Sequence, residues 1–166
     1  FNDEERVARD VVLAADLVVN VVDAVHLERD LFLTLQLIDT GLPVIVALNM
    51  LDEAKSHSIA VDADLLEHLL GVPVVPTVAV KGEGLDALKA RLAEARPGIV
   101  PQDLHKKIQD MLRSVAVPAE ALLVLEGDGE VAGRHGLAPG DQREEIYRER
   151  RRRVNDIVGH VVRETT

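Results

Sequence analysis

The chain has 166 residues, a formal charge of −10 and no cysteine, so disulfides, thiolate metal sites and cysteine nucleophiles are excluded. Its net negative charge opposes a phosphate backbone and argues against nucleic-acid binding. Hydrophobic residues make up 47% but aromatics only 2%, so the core must be built from Val, Leu, Ile and Ala, which suits buried parallel strands under helices. No apolar run approaches the ~20 residues that cross a bilayer and no signal peptide opens the chain, so soluble material of a reducing compartment is expected.

Asp3 to Ala15, charged with spaced apolar positions at Val7, Val11 and Val12, predicts a helix. Leu17–Asp23 reads as a β-branched strand ending on an acid, and Leu27–Asp39 as a helix with Leu31, Leu35 and Ile38 on one face, terminated near Gly41. Pro43 opens a strand over Val44–Leu48. After a loop, Asp64–Leu70 is a short helix stopped by Gly71, Pro73–Val78 a third strand and Leu85–Ala95 a helix. Strand–helix alternation implies a parallel sheet with right-handed crossovers, its three strands buried on both faces.

Pro97-Gly98 and Pro101 mark a boundary beyond which no strand pattern is visible. Leu104, Ile108 and Leu112 space one helix, Ala119–Leu125 is a second and Arg143–Arg163 a long last one. That last helix carries an apolar stripe of Val154, Ile157, Val158 and Val161, able to hold the helical half together by itself. The expected division is α/β over residues 1–97 and all-helical over 98–166.

The chemistry sits where the apolar run Val44–Leu48 ends in Asn49-Met50-Leu51-Asp52. Guanine presents its N1 hydrogen and exocyclic amine side by side. One carboxylate at Asp52 can accept from both, whereas adenine offers no such pair. The Asn49 amide can donate to the purine N7, and Met50 can lay its stem on the base. A bare Asn-x-x-Asp is common in turns; it gains meaning at the carboxyl end of a buried strand, where open α/β sheets bind ligands.

Other candidates have plainer readings. Asp23 closes a strand end. His26, His57, His68, His105, His135 and His160 show no metal-ligand spacing and read as solvated. Gly82-Glu83-Gly84 reads as a turn. The run Arg148-Glu149-Arg150-Arg151-Arg152-Arg153 reads as a salt-bridged helix face with Glu144–Arg148 and Glu149–Arg153 pairs, contact with anionic lipid being the other reading.

Several strings resemble one family. Asp3-Glu4-Glu5-Arg6-Val7-Ala8-Arg9-Asp10, Val21-Val22-Asp23-Ala24 and Ala47-Leu48-Asn49-Met50-Leu51-Asp52-Glu53-Ala54-Lys55 are similar to the cytosolic GTPase region of bacterial ferrous iron transport protein B. Gly71–Thr77, Lys81–Leu85, Leu123–Asp128 and Glu145–Arg151 continue the match, and Met within the Asn-x-x-Asp motif is typical of that family. The resemblance implies a partial P-loop-GTPase-like parallel sheet with helices, then a small helical domain that favours the GDP state. It also implies binding of GTP and GDP, with Mg²⁺ in the intact domain, at the cytoplasmic face of the bacterial inner membrane. The partner implied is the protein's own membrane channel domain carrying Fe²⁺, with a homo-oligomer and small accessory iron-transport proteins as further candidates.

Asn49 and Asp52 fall on the family's base-recognition motif. Val78, Ala79 and Val80 fall on its last nucleotide loop, where backbone N–H groups meet the guanine carbonyl; Val78 and Ala79 stand where GTPases often carry Ser. No Gly-x-x-x-x-Gly-Lys-[Ser/Thr] occurs in the chain, and Lys81-Gly82-Glu83-Gly84 has the order wrong. The switch threonine and Asp-x-x-Gly are missing too. The expectation is a piece beginning at the second switch helix, able to recognise guanine but not to hold phosphate or hydrolyse it. The rival expectation is a non-catalytic GTPase-like module that docks a partner protein.

Overall fold

The computed structural model describes residues 3–165. Helix α1 (Asp3–Leu13) precedes β1 (Val18–Asp23), and α2 (Leu27–Asp39) crosses over to β2 (Val44–Asn49). Then come α3 (Leu51–Ser56), β3 (Ile59–Val61), α4 (Ala63–Leu70), β4 (Val74–Pro76) and α5 (Leu85–Ala90). The remainder is α6 (Gln102–Met111), α7 (Pro118–Leu125), α8 (Gly129–Arg134), α9 (Arg143–Val161) and β5 (Val162–Glu164).

The main sheet is parallel, in the order β1-β2-β4, with Val18 opposite Val44 and Val46 opposite Val74. Central β2 is apolar because both its faces are covered: Val44, Ile45, Val46, Ala47 and Leu48 are all buried. The expectation for β1 fails. Its even-numbered residues Asn20 and Val22 are buried, but Val19 and Val21 are 43% and 60% exposed. Side chains alternate across a strand, and α2 covers only one face of this one.

β4 is shorter than the Pro73–Val78 strand expected, because its partner β2 runs out; Leu48 pairs with Pro76 and the next residue, Thr77, already donates its N–H to the Leu48 carbonyl at 2.8 Å. The α5 helix likewise stops at Ala90, where Arg91 turns to grip Glu67 at 2.9 Å, and the chain continues as a 3₁₀ turn over Leu92–Glu94. The segment expected to be a loop after β2 contains α3 and β3, and α8 was not expected either.

A strand does occur beyond residue 98. The last helix stops at Val161, and Val162–Glu164 pairs antiparallel with Ile59–Val61. The ladder is flanked by Asp62 N–H donating to the Val161 carbonyl (2.8 Å) and Thr165 N–H to the Ser58 carbonyl (2.7 Å). A short segment takes strand geometry once a partner edge is available, and that edge is distant in sequence.

Among the described residues there are two apolar clusters. One lies between the sheet, α2 and α4; the other joins Leu104, Ile108, Leu122, Leu125, Val131 and Ile146. The α9 helix serves both. Its Ile146 belongs to the second cluster, whereas Val154, Ile157 and Val161 pack in the first, against α2 and α4. The stripe expected to support the helical half therefore closes the core of the other half.

The arginine run is also more than a solvated face. Arg150 is fully buried, donating from Nε to Asp39 (3.1 Å) and from Nη2 to Glu126 (2.8 Å), while Arg153 reaches Asp39 at 2.9 Å. Glu149 pairs with Arg152 rather than Arg153. Residues 150 and 153 lie one turn apart, on the side of α9 that faces the carboxyl end of α2. The Asp39 carboxylate there accepts from both.

Candidate guanine-nucleotide site

The site grows from the end of β2. A strand buried on both faces delivers Asn49 to the sheet's carboxyl edge, and Met50 then takes a left-handed conformation (φ 66°) that turns the chain directly into α3. Asp52 falls in the first turn of that helix, where the exposed N–H groups favour a carboxylate. Because β4 pairs with β2, the chain leaving β4 arrives beside the same edge.

That second segment is a tight loop. Val78 donates its N–H to the Glu83 carbonyl (2.8 Å), Glu83 returns one to the Val78 carbonyl (3.1 Å), and Lys81 donates to the Val78 carbonyl (3.0 Å). Gly84 closes the loop at φ 81°, and a Cβ there would lie 2.3 Å from the Pro76 carbonyl oxygen, so only glycine fits. Leu51, Thr77, Val78 and Gly84 line a shallow cleft between the two segments.

The half-exposed Asp52 carboxylate faces this loop, its Oδ2 3.6 Å from the Lys81 ammonium. The structure thus brings Asn49, Met50 and Asp52 to the same sheet edge as the 78–84 loop. It also commits the Val78 N–H to Glu83, while Val80 projects its side chain into solvent at 86% exposure. Lys81 is the neighbour that sequence reasoning missed; read as part of a failed phosphate motif, it lies instead against the Asp52 carboxylate.

Asp23 is placed as expected. It pairs in register with Asn49, accepts from the Val25 N–H at 2.8 Å to cap a 3₁₀ turn, and its own N–H donates to Asp30. Of the histidines, His135 lies 3.4 Å from Glu120, and His160 contacts the Asp156 carbonyl. Among the described residues no group of three or more His, Asp or Glu is arranged to hold a metal ion, and no helix is long and apolar enough to cross a membrane.

Away from this site the strongest electrostatics lie where α1 and α9 meet the helical part. Arg9 is buried between Asp128 (3.0 Å) and Glu130 (2.8 Å), and its guanidinium is held further above its ordinary range by hydrogen bonding to Asp10, Glu130 and Asp128. Burial pushes the Glu126 carboxyl up despite Arg150, and its buried Oε2 has no hydrogen-bond partner.

A parallel sheet with an Asn-x-x-Asp turn at its carboxyl edge and a glycine-closed loop beside it defines a GTPase-like α/β protein. The family profile described as ferrous iron transport protein B matches residues 1–92. The Fe(2+) transporter FeoB of Salmonella typhimurium is 52% identical over 121 residues, covering 72% of this chain and 16% of the relative. That of Escherichia coli K12 is 51% identical over 88 residues, 52% of this chain and 11% of the relative. Among solved structures, the cytosolic domain of T. maritima FeoB in its GMPPNP form superposes with a TM-score of 0.83 at 28% identity, over 99% of this chain and 75% of that one. A GDP-bound S. thermophilus FeoB G-domain gives 0.84 at 30%, over 98% and 76%. The chain belongs to the ferrous iron transport protein B family. It spans 16% of the length of the Salmonella relative.

Proposed function

We propose that this chain is the guanine-reading part of the cytosolic, nucleotide-binding regulatory region of a bacterial ferrous iron transporter, working at the cytoplasmic face of the inner membrane. The observation that carries this reading is the convergence of Asn49, Met50 and Asp52, at the carboxyl end of β2, with the 78–84 loop. Asp52 accepts from the guanine N1 hydrogen and amine, Asn49 donates to N7, and Met50 covers the base. The backbone N–H groups of Ala79 and Val80 approach the guanine carbonyl; that of Val78 is engaged with Glu83.

Residues 1–97 form a partial GTPase domain and residues 98–166 a mainly helical one, whose last helix and strand pack against the first. The residues fit the base of GTP or GDP but supply no phosphate loop, so nucleotide phosphates and Mg²⁺ are held by groups outside these 166 residues. In the intact protein, nucleotide state biases the attached Fe²⁺ channel domain through differential contacts in its two states.

Saturation-transfer NMR with GMP and AMP tests the reading. GMP is expected to receive saturation at its base proton and AMP not to. Equal transfer to both would leave the site without base selectivity and return the chain to the rival class, an interaction module without nucleotide chemistry.

A further inference from the structure

We propose that Lys81 is a specificity-determining residue of the guanine site, holding the Asp52 carboxylate in place and donating to the purine 6-oxo group. This rests on the guanine reading above. The Lys81 ammonium lies 3.6 Å from Asp52 Oδ2, across the cleft between the end of β2 and the 78–84 loop. Both side chains are about half exposed, at 58% and 46%, and pairs of that kind contribute little to stability. The fold does not need the contact, yet the loop is built so that it forms. Lys81 follows Val80 in a turn whose backbone is fixed by the Val78–Glu83 and Lys81–Val78 hydrogen bonds and by glycines in left-handed geometry at positions 82 and 84.

The chemistry of guanine gives the pair a purpose. Along the edge that a carboxylate reads, the order is 2-amine, N1 hydrogen, 6-oxo: two donors and then an acceptor. Asp52 answers the donors and has nothing to offer the oxygen, which a carboxylate repels. An ammonium seated beside that carboxylate supplies the complementary donor. With the Val78 N–H committed to the Glu83 carbonyl, the ammonium adds a charged donor to the backbone N–H groups of Ala79 and Val80. Adenine carries an amine at its 6 position, so the same ammonium meets a donor there and rejects it. Asp52 then discriminates at purine positions 1 and 2, and Lys81 at position 6.

The test uses the full chain with GMP and with 2-aminopurine riboside monophosphate, which keeps the 2-amine and the phosphate but lacks the 6-oxo group and, with it, the N1 hydrogen. Since the phosphate is common to both, its general attraction to a lysine cancels in the ratio. Ligand-observed NMR titrations to millimolar nucleotide are compared for the wild type, Lys81→Met, Lys81→Arg and Asp52→Asn. Lys81→Met is expected to weaken GMP by about tenfold, the loss of one charge-assisted hydrogen bond, and to weaken the 2-aminopurine nucleotide less, since that ligand loses only the positioning of Asp52. Lys81→Arg keeps most of the preference. Equal losses for both nucleotides, or no loss for GMP, would overturn the proposal. If Asp52→Asn weakens GMP while Lys81→Met does not, the Lys81 assignment fails alone; if neither does, the guanine reading fails with it.

Discussion

At the scale of single residues, the Asp52 carboxylate is the most exacting position of the proposed guanine site. In the proposed site Asp52 accepts from two guanine donors, and an amide in its place would present a donor where an acceptor is needed. Asp52→Asn is expected to lose at least about tenfold in GMP affinity and to gain affinity for XMP, whose 2-oxo group accepts from the new amide, because a mismatched polar partner is penalised more than a missing apolar one. Parallel NMR titrations with GMP and XMP check this, and an unchanged preference for GMP would remove Asp52 from the role.

Glu126 behaves differently, since burial raises its folded carboxyl above the ordinary 4.5. A raised folded value contributes stability that is complete below the unfolded value and is lost as pH rises through the folded one. Glu126→Gln should therefore lack a decline in stability that the parent chain shows as pH rises from about 4.5 through the elevated value. Urea unfolding across that range is the measurement, and parallel stability curves for parent and variant would contradict the assignment. Glu67 has the opposite sign, because hydrogen bonding to Arg91 lowers it, so its contribution is lost on acidification.

At the scale of elements, α1 is attached by its charges as much as by its apolar face. Val7 and Val11 are exposed at 64% and 66%, whereas Arg9 is buried against Asp128 and Glu130 of the α8 segment. Asp128 has a second task, capping α8 by accepting from the Glu130 and Val131 N–H groups at 3.1 Å. The two tasks are separable. Asn is as good a cap as Asp but carries no charge, so Asp128→Asn should speed amide exchange in α1 while sparing α8, and Asp128→Ala should speed both. Residue-resolved hydrogen exchange distinguishes them; equal protection of α1 in parent and Asp128→Asn would show that the ion pair does not hold that helix. Such a joint ties the segment before β1 to the helical half.

At the scale of the whole molecule, β1 is the open question of the sheet. Its pairing with β2 leaves its other edge without a partner strand among the described residues, and Val19 and Val21 stand exposed beside that edge. Exposed apolar edges are ordinarily paired or covered. The 166-residue chain is accordingly expected to self-associate at micromolar concentration, and Val21→Lys to reduce that association; a stable monomer by sedimentation would show that β1 tolerates water. Hydrolysis belongs to the same scale. With no phosphate loop, switch threonine or Asp-x-x-Gly in its sequence, this chain should release no phosphate from GTP with Mg²⁺ above background. Turnover resembling an intact GTPase would refute that.

What the sequence by itself determined is local. The apolar run into Asn49-Met50-Leu51-Asp52 forms a buried strand ending in a turn, because continuous Val, Ile, Ala and Leu require cover on both faces and the polar residues mark where it ends. The helix over Leu27–Asp39 and the caps at Gly41 and Gly71 follow from periodicity and from glycine's access to positive φ. What only the tertiary structure decided is every feature that depends on a neighbour far along the chain. The pairing of β5 with β3, the transfer of Val154, Ile157 and Val161 to the other core, the burial of Arg150 between Asp39 and Glu126, and the meeting of Lys81 with Asp52 all join segments that no periodicity links. An arginine in a charged run reads as solvated until the carboxylates that bury it are known, and a lysine in a glycine-rich loop has no role until the loop is folded against a particular edge of the sheet.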